Sequence, residues 1–248
     1  MNKEYKILEE KITQMGMDAA WVKDSIRKLA VETPSWGYGD AGTRFKVFKQ
    51  IGMPRNLYEK LDDAAMVNKF TGICPSVAVH IPWDKVDDYE DAGKYARDKG
   101  IRIGAVNPNL FQADEYMLGS VCNADPSIRK MATDHMIECV DIARKFKSKE
   151  ISLWFADGTN YPGQGSFRNR KNWMIESLLK LDAAMDDDMR MFIEYKAFEP
   201  AFYHTDINDW GMSLLLANRV GKKGTVLVDL GHHAQEVNIE QIVANLID

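Results

Sequence analysis

Cysteine is scarce in this 248-residue chain: Cys74, Cys122 and Cys139 are the three present, and they lie far apart. An odd number at wide spacing excludes a disulfide framework that uses every thiol and excludes a CxxC zinc site, and it suits a reducing compartment. Long apolar runs are lacking as well. No stretch approaches the roughly 20 residues needed to cross a bilayer, and the opening MNKEYKILEEKITQMG is charged where an export signal needs an apolar segment. Positive charge is not in excess: 32 Lys and Arg against 37 Asp and Glu leave a net charge of -5, which argues against an extended nucleic-acid surface. The basic clusters ARKFKSK (143–149) and RNRK (168–171) read as solvated helix ends. From these absences the expectation is a cytosolic chain without a nucleic-acid or membrane partner.

What is present suits a globular protein. Hydrophobic residues make up 45% and charged residues 28%, close to ordinary folded domains, and 248 residues suffice for one large alpha/beta domain. Residues 3–30 place Tyr5, Leu8, Ile12 and Met15, then Trp21, Val22, Ile26 and Leu29, at the three-and-four spacing of two amphipathic helices. They read as a helical extension (1–30) ahead of a catalytic domain (31–248).

From residue 31 the rhythm changes. Short apolar stretches predict strands at 32–36 (ETPSW), 76–81 (SVAVHI), 101–106 (IRIGAV), 150–155 (EISLWF), 190–195 (RMFIEY) and 225–229 (TVLVD). Helices are predicted near 56–71, 87–99, 126–147, 170–185, 207–220 and 238–247. Six βα repeats imply parallel strands with right-handed crossovers, in a doubly wound sheet or a closed barrel. Polar or aromatic residues at nearly every strand end (Trp36, His80, Asn107, Asp157, Glu194, Lys196, Asp229, His232) favour the barrel, whose chemistry collects at that face.

Several motifs bear on chemistry. GYGDAG (37–42) matches a nucleotide-binding fingerprint, but the following TRFKVFKQIGMP offers no clear amphipathic helix to receive a pyrophosphate, so it reads as a loop. In FIEYK (192–196), strand alternation puts Glu194 and Lys196 on one face. That pattern serves either a buried salt bridge or a metal carboxylate beside an ammonium that polarises substrate. Asp229 and His232 end the next strand, and with Glu194 they form a donor set for Mn, Mg, Co or Zn. Either histidine of the HH pair could instead cap the following helix, with His233 the likelier bystander of the two. His80 fits a structural or a ligand-contacting role. Trp36, Trp83, Phe111 and Trp154 fit either rim packing or a sugar pocket, where rings stack on C–H faces.

Taken together, PSWGYGDAGTRF, VHIPWDK, LWFADGTNYPGQ, EYKAFEPAFYHTDINDWG and VDLGHHAQEVNIEQIVANLI resemble the L-rhamnose isomerase family of the broad-specificity bacterial type, from Pro34 to the end. The resemblance implies a TIM (β/α)8 barrel, of which this chain would hold about six βα units. It implies an enzyme that interconverts L-rhamnose and L-rhamnulose, and other aldoses such as L-lyxose, L-mannose and D-allose, by hydrogen transfer between C1 and C2. Two divalent metals per site are implied, typically Mn2+, with Co2+ or Mg2+ as substitutes, in a cytoplasmic homotetramer. Glu194 and Asp229 match ligands of the structural metal, and His232 matches a ligand of the catalytic metal. Lys196 matches the catalytic lysine near the sugar carbonyl and His80 the histidine at the ring-oxygen end. Trp36, Trp83, Phe111 and Trp154 match the pocket aromatics, and Phe45 a residue that reaches a neighbouring subunit's site.

The chain departs from the family at Tyr195, where some members have histidine; its side chain is expected to face away from the site. The family also continues through two further strands that complete both metal sites. A 248-residue fragment with little activity by itself is therefore the expectation. The alternatives are an inactive or sugar-binding remnant of such an enzyme, or another metal-dependent TIM barrel of endonuclease or hydrolase type.

Overall fold

The computed structural model describes residues 2–39, 49–159, 163, 165–198 and 203–247. Two helices, α1 (Lys3–Gln14) and α2 (Ala19–Arg27), open the chain. Strands and helices then alternate: β1 (Glu32–Pro34), α3 (Leu57–Thr71), β2 (Ser76–Ile81), α4 (Tyr89–Asp98), β3 (Arg102–Pro108), α5 (Pro126–Phe146), β4 (Glu150–Leu153), β5 (Gly158–Thr159), α6 (Phe167–Ala184), β6 (Arg190–Glu194), β7 (His204–Thr205), α7 (Trp210–Val220), β8 (Gly224–Leu227) and α8 (Ile239–Leu246). Six strands form one sheet in the order β1-β2-β3-β4-β6-β8, and each neighbouring pair is parallel.

That order decides between the two architectures. A doubly wound sheet reverses its strand order to place helices on both faces. Here every strand pairs with its predecessor in the main sheet, so right-handed crossovers carry the intervening helices to one face. The described residues form consecutive units of a (β/α)8-type barrel, with strand C-termini at one end.

The core lies between sheet and helices. Every residue of β2 is buried, as its unbroken apolar run requires. Along β6 and the two residues that follow it, the outward Met191, Ile193 and Tyr195 are buried beneath helices, whereas Phe192, Glu194 and Lys196 on the lumen side are half-buried. Alternation therefore puts Glu194 and Lys196 on one face and Tyr195 on the other. Caps set the helix ends. Asp125 accepts from Ser127 N at 2.8 Å ahead of Pro126, and Asp209 accepts from Met212 N at 2.8 Å to start α7.

One irregularity shapes the sheet. Between β2 and β3 the register moves from Val77↔Ile103 to Val79↔Val106, leaving an extra residue at Gly104–Ala105. Glu32 Oε1 accepts from the freed Ala105 N at 2.9 Å. A Cβ on Gly104 would lie 1.4 Å from Glu32 Oε2, so only glycine admits this carboxylate.

Several expectations change. The first strand ends at Pro34 and continues as a 3-10 turn over Ser35–Gly37, and the strand expected to reach Phe155 ends at Leu153. The sixth helix starts at Phe167 because Ser166 accepts from Asn169 N, three residues earlier than expected. β5 and β7, a short antiparallel pair, were not foreseen; two residues each give no periodicity to read. Within RNRK, Arg170 is 7% exposed and paired with Asp206 at 2.6 Å, so this cluster is not a purely solvated helix end. α1 and α2 form, yet none of their residues is buried, and Trp21 is 68% exposed.

Candidate functional site

Two groups of side chains meet at the C-terminal ends of the strands. The first is a cup of rings. Trp36 follows β1, His80 lies near the end of β2 and Trp83 in the loop beyond it, Phe111 follows β3, and Trp154 follows β4. His80 stacks on Trp83 with centroids 3.8 Å apart and planes 21° apart. Trp36 meets His80 edge-on at 5.6 Å, Phe111 meets Trp83 at 6.1 Å, and Trp154 meets Phe111 at 4.9 Å. Lys196 Nζ sits 5.6 Å from the Trp154 ring and ends the series.

A buried carboxylate ties the cup's first half together. Asp84, fully buried, accepts from His80 N at 2.8 Å, from Ser35 Oγ, and from Lys60 Nζ at 2.7 Å. Its partners are His80 itself and the neighbour of Trp36, and Asp84 is the neighbour of Trp83. Lys60 reaches it from α3 past Gly39, where a Cβ would lie 2.5 Å from Lys60 Cε. His80 Nδ1 is buried with no hydrogen-bond partner among the described residues. Burial, with smaller electrostatic contributions from the nearby His135 and Lys60, lowers its pKa to about 3, so the ring is neutral at ordinary pH.

The second group is Glu194, Asp229 and His232, whose ligand atoms lie within 4.8 Å of one another. Local chemistry builds it. Asp229 Oδ1 accepts from Gly231 N at 2.7 Å, and Asp229 O accepts from His232 N at 3.2 Å, so a tight turn returns His232 toward its own strand. His232 Nδ1 lies 3.0 Å from Tyr195 O and 3.1 Å from Glu194 Oε1. A carbonyl only accepts, so it selects the tautomer protonated on Nδ1 and leaves the Nε2 lone pair near Asp229 Oδ2, at 3.6 Å. Two ligands bound about 2.1–2.4 Å from one cation lie at most about 4–5 Å apart, so two carboxylates and an imidazole at this spacing fit a divalent ion.

Other sequence candidates serve the fold. Asn107 donates to Val79 O and Ala105 O. Asp157 is buried and accepts from Ser120 N, Ser120 Oγ and Cys122 N. Burial pushes its carboxyl pKa up, against those donors. With Cys122 and Asp206 it forms a second potential ligand group, but the Arg170 guanidinium already neutralises Asp206 there. His233, left without a role by its sequence, pairs through Nε2 with Tyr195 OH at 3.0 Å. The alternative that a histidine of the HH pair caps the next helix fails, because Asn238 caps it. Phe45 and residues 40–42 of GYGDAG lie outside the described residues.

The sequence reading missed Asp84, Lys60 and Arg170. Lys60 left one signal, a lysine amid the apolar face Leu57, Leu61 and Ala64 of its helix. Asp84 and Arg170 left none, because their partners are distant in sequence.

No protein-family model matches the chain. It is 41% identical to a probable sugar isomerase of Rhizobium meliloti over 100% of its own length and 59% of that protein. It is 38% identical to a probable sugar isomerase of Mesorhizobium japonicum over 100% of its length and 58% of that one. The chain thus spans under two thirds of these relatives. Among solved structures, a 3-keto-D-glucoside 4-epimerase from E. coli aligns with a TM-score of 0.65 at 12% identity, covering 88% of this chain and 75% of that one, which supports the barrel. By sequence the chain is similar along its full length to proteins named as sugar isomerases, and by fold it is similar to barrel enzymes of sugar chemistry.

Proposed function

We propose that this chain carries the sugar pocket and metal ligands of a metal-dependent aldose–ketose isomerase acting on L-rhamnose and L-rhamnulose, and on related aldoses such as L-lyxose, L-mannose and D-allose. The observation that carries the reading is the convergence of Glu194, Asp229 and His232 at the strand ends that also bear the aromatic cup and Lys196. Two relatives named as probable sugar isomerases support it.

Each chain residue has work in that reaction. Trp36, Trp83, Phe111 and Trp154 exclude water and stack on the sugar's C–H faces. Neutral His80 serves the ring-oxygen end of the sugar. Lys196 donates to the oxygen at the carbonyl end, where charge develops as hydrogen moves between C1 and C2. Glu194 and Asp229 would hold one cation and His232 would be a ligand of the other beside it, each Mn2+ with Co2+ or Mg2+ as substitutes, and when bound they supply Lewis-acid polarisation of substrate oxygens. A second cation, a homotetramer and a cytosolic setting belong to the same proposal.

Two measurements test it. Mn2+ titration followed by electron paramagnetic resonance should show a site that Glu194→Gln or Asp229→Asn weakens at least about tenfold, since even ligand-orienting neighbours are worth that much. Conversion of L-rhamnose to L-rhamnulose should need added metal. Unchanged Mn2+ affinity in both variants, or turnover that survives chelation, would sink the reading.

A further inference from the structure

Trp83 is held at its polar edge by a chain of hydrogen bonds that none of the site residues above explains. Its Nε1–H donates to Gln112 Oε1 at 2.7 Å, and the same oxygen accepts from Asn109 Nδ2 at 2.8 Å. Asn109 Oδ1 in turn accepts from Gln112 N at 3.0 Å and Phe111 N at 3.3 Å. Asn109 N donates to Ile81 O at 2.8 Å and lies 3.2 Å from His135 Nε2 of α5.

The donors fix the amide orientations. Backbone N–H groups and the indole N–H can only donate. Asn109 must therefore turn its oxygen to the backbone and its nitrogen to Gln112, and Gln112 must present its oxygen to both. The loop after β3 and the loop after β2 are thus joined at one oxygen atom. The indole plane it sets is the plane that covers His80 at 3.8 Å and meets Phe111 at 6.1 Å.

We propose that Gln112 is a positioning residue: through its side-chain oxygen it fixes the orientation of Trp83 and thereby the fit of the aromatic cup to an apolar ligand face. Ligand fit rests on the sugar reading above; the orientation of Trp83 does not. Gln112 is exposed and Asn109 buried, so substitution at Gln112 disturbs the fold less. Gln112→Met keeps length and removes the acceptor. Gln112→Glu restores an acceptor for both donors.

The test compares the indole N–H signals of the six tryptophans in 15N–1H correlation spectra of the ligand-free protein, with Trp83 assigned by its loss in Trp83→Phe. Losing one hydrogen bond corresponds to about a three- to tenfold change in the bonded population. Gln112→Met should shift the Trp83 indole signal and speed its exchange with water by about that factor, leave the Trp21 and Trp210 signals in place, and be reversed by Gln112→Glu. An unmoved Trp83 signal in Gln112→Met overturns the proposal, as does a Gln112→Glu spectrum that matches Gln112→Met. With L-rhamnose as probe, Gln112→Met should raise the dissociation constant about three- to tenfold. Equal dissociation constants in the two proteins overturn the link to ligand fit. Failure of the wild-type chain to bind L-rhamnose counts against the sugar reading alone, and the indole spectra then still decide whether Gln112 positions Trp83.

Discussion

His80 is the residue whose environment has the plainest thermodynamic consequence. Burial among Trp36, Trp83 and Phe111 takes its pKa from 6.5 to about 3. Below pH 6.5 the unfolded chain binds a proton that the folded chain refuses until pH nears 3, so folding stability falls with falling pH across that window. The slope from this group is at most about 1.4 kcal/mol per pH unit. Urea unfolding at about pH 7 and about pH 5 should show a smaller loss of stability in His80→Phe than in the parent; equal losses would remove His80 from the account. Sequence placed His80 at a strand end but could not say whether it was charged, because its state depends on rings from three other loops. For Tyr195 the reading went further. Alternation alone turned it away from Glu194 and Lys196, and it is 1% exposed beneath the helices. Its partner His233 could not be read, because proximity in the chain says nothing about which of two adjacent histidines turns inward.

At the scale of elements, buried ionic contacts join parts that local sequence describes separately. Asp84 binds α3, the turn after β1 and the end of β2 at once. Removing it strands Lys60, 4% exposed at its side chain, without a counter-charge. Asp84→Ala should therefore destabilise the fold by about 3–5 kcal/mol, the usual penalty for breaking a buried pair from one side. Chemical denaturation of the two proteins measures it, and a loss below about 1 kcal/mol would mean that water reaches Lys60. Arg170 does the same for the loops around β5 and β7, bonding Asp206, Cys122 O and Gly158 O. Helix and strand existence was legible because apolar period and capping residues are local. The end of the first strand and the start of α6 were not, because a 3-10 turn and a single serine cap decide them.

Across the molecule, burial is uneven. β2 is buried at all six positions, whereas β8 is half-buried or exposed along its length. α1 and α2 bury nothing. Native-state amide exchange should accordingly be slowest in the central strands β2, β3 and β4, faster in β8, and fastest in α1 and α2, since opening free energy follows buried contacts. Uniform protection from β2 through β8 would contradict that gradient. By itself the sequence determined the βα rhythm, the parallel sheet, the shared face of Glu194 and Lys196, and the polar and aromatic residues at strand ends. These follow from periods of two and 3.6 and from caps, all of which act within a few residues. Only the tertiary structure decided that Asp84 ties the cup together, that Gln112 holds Trp83, that Arg170 is buried, and that Tyr195 O sets the His232 tautomer. Each depends on a donor and an acceptor brought together from separate loops, a pairing that no local periodicity encodes.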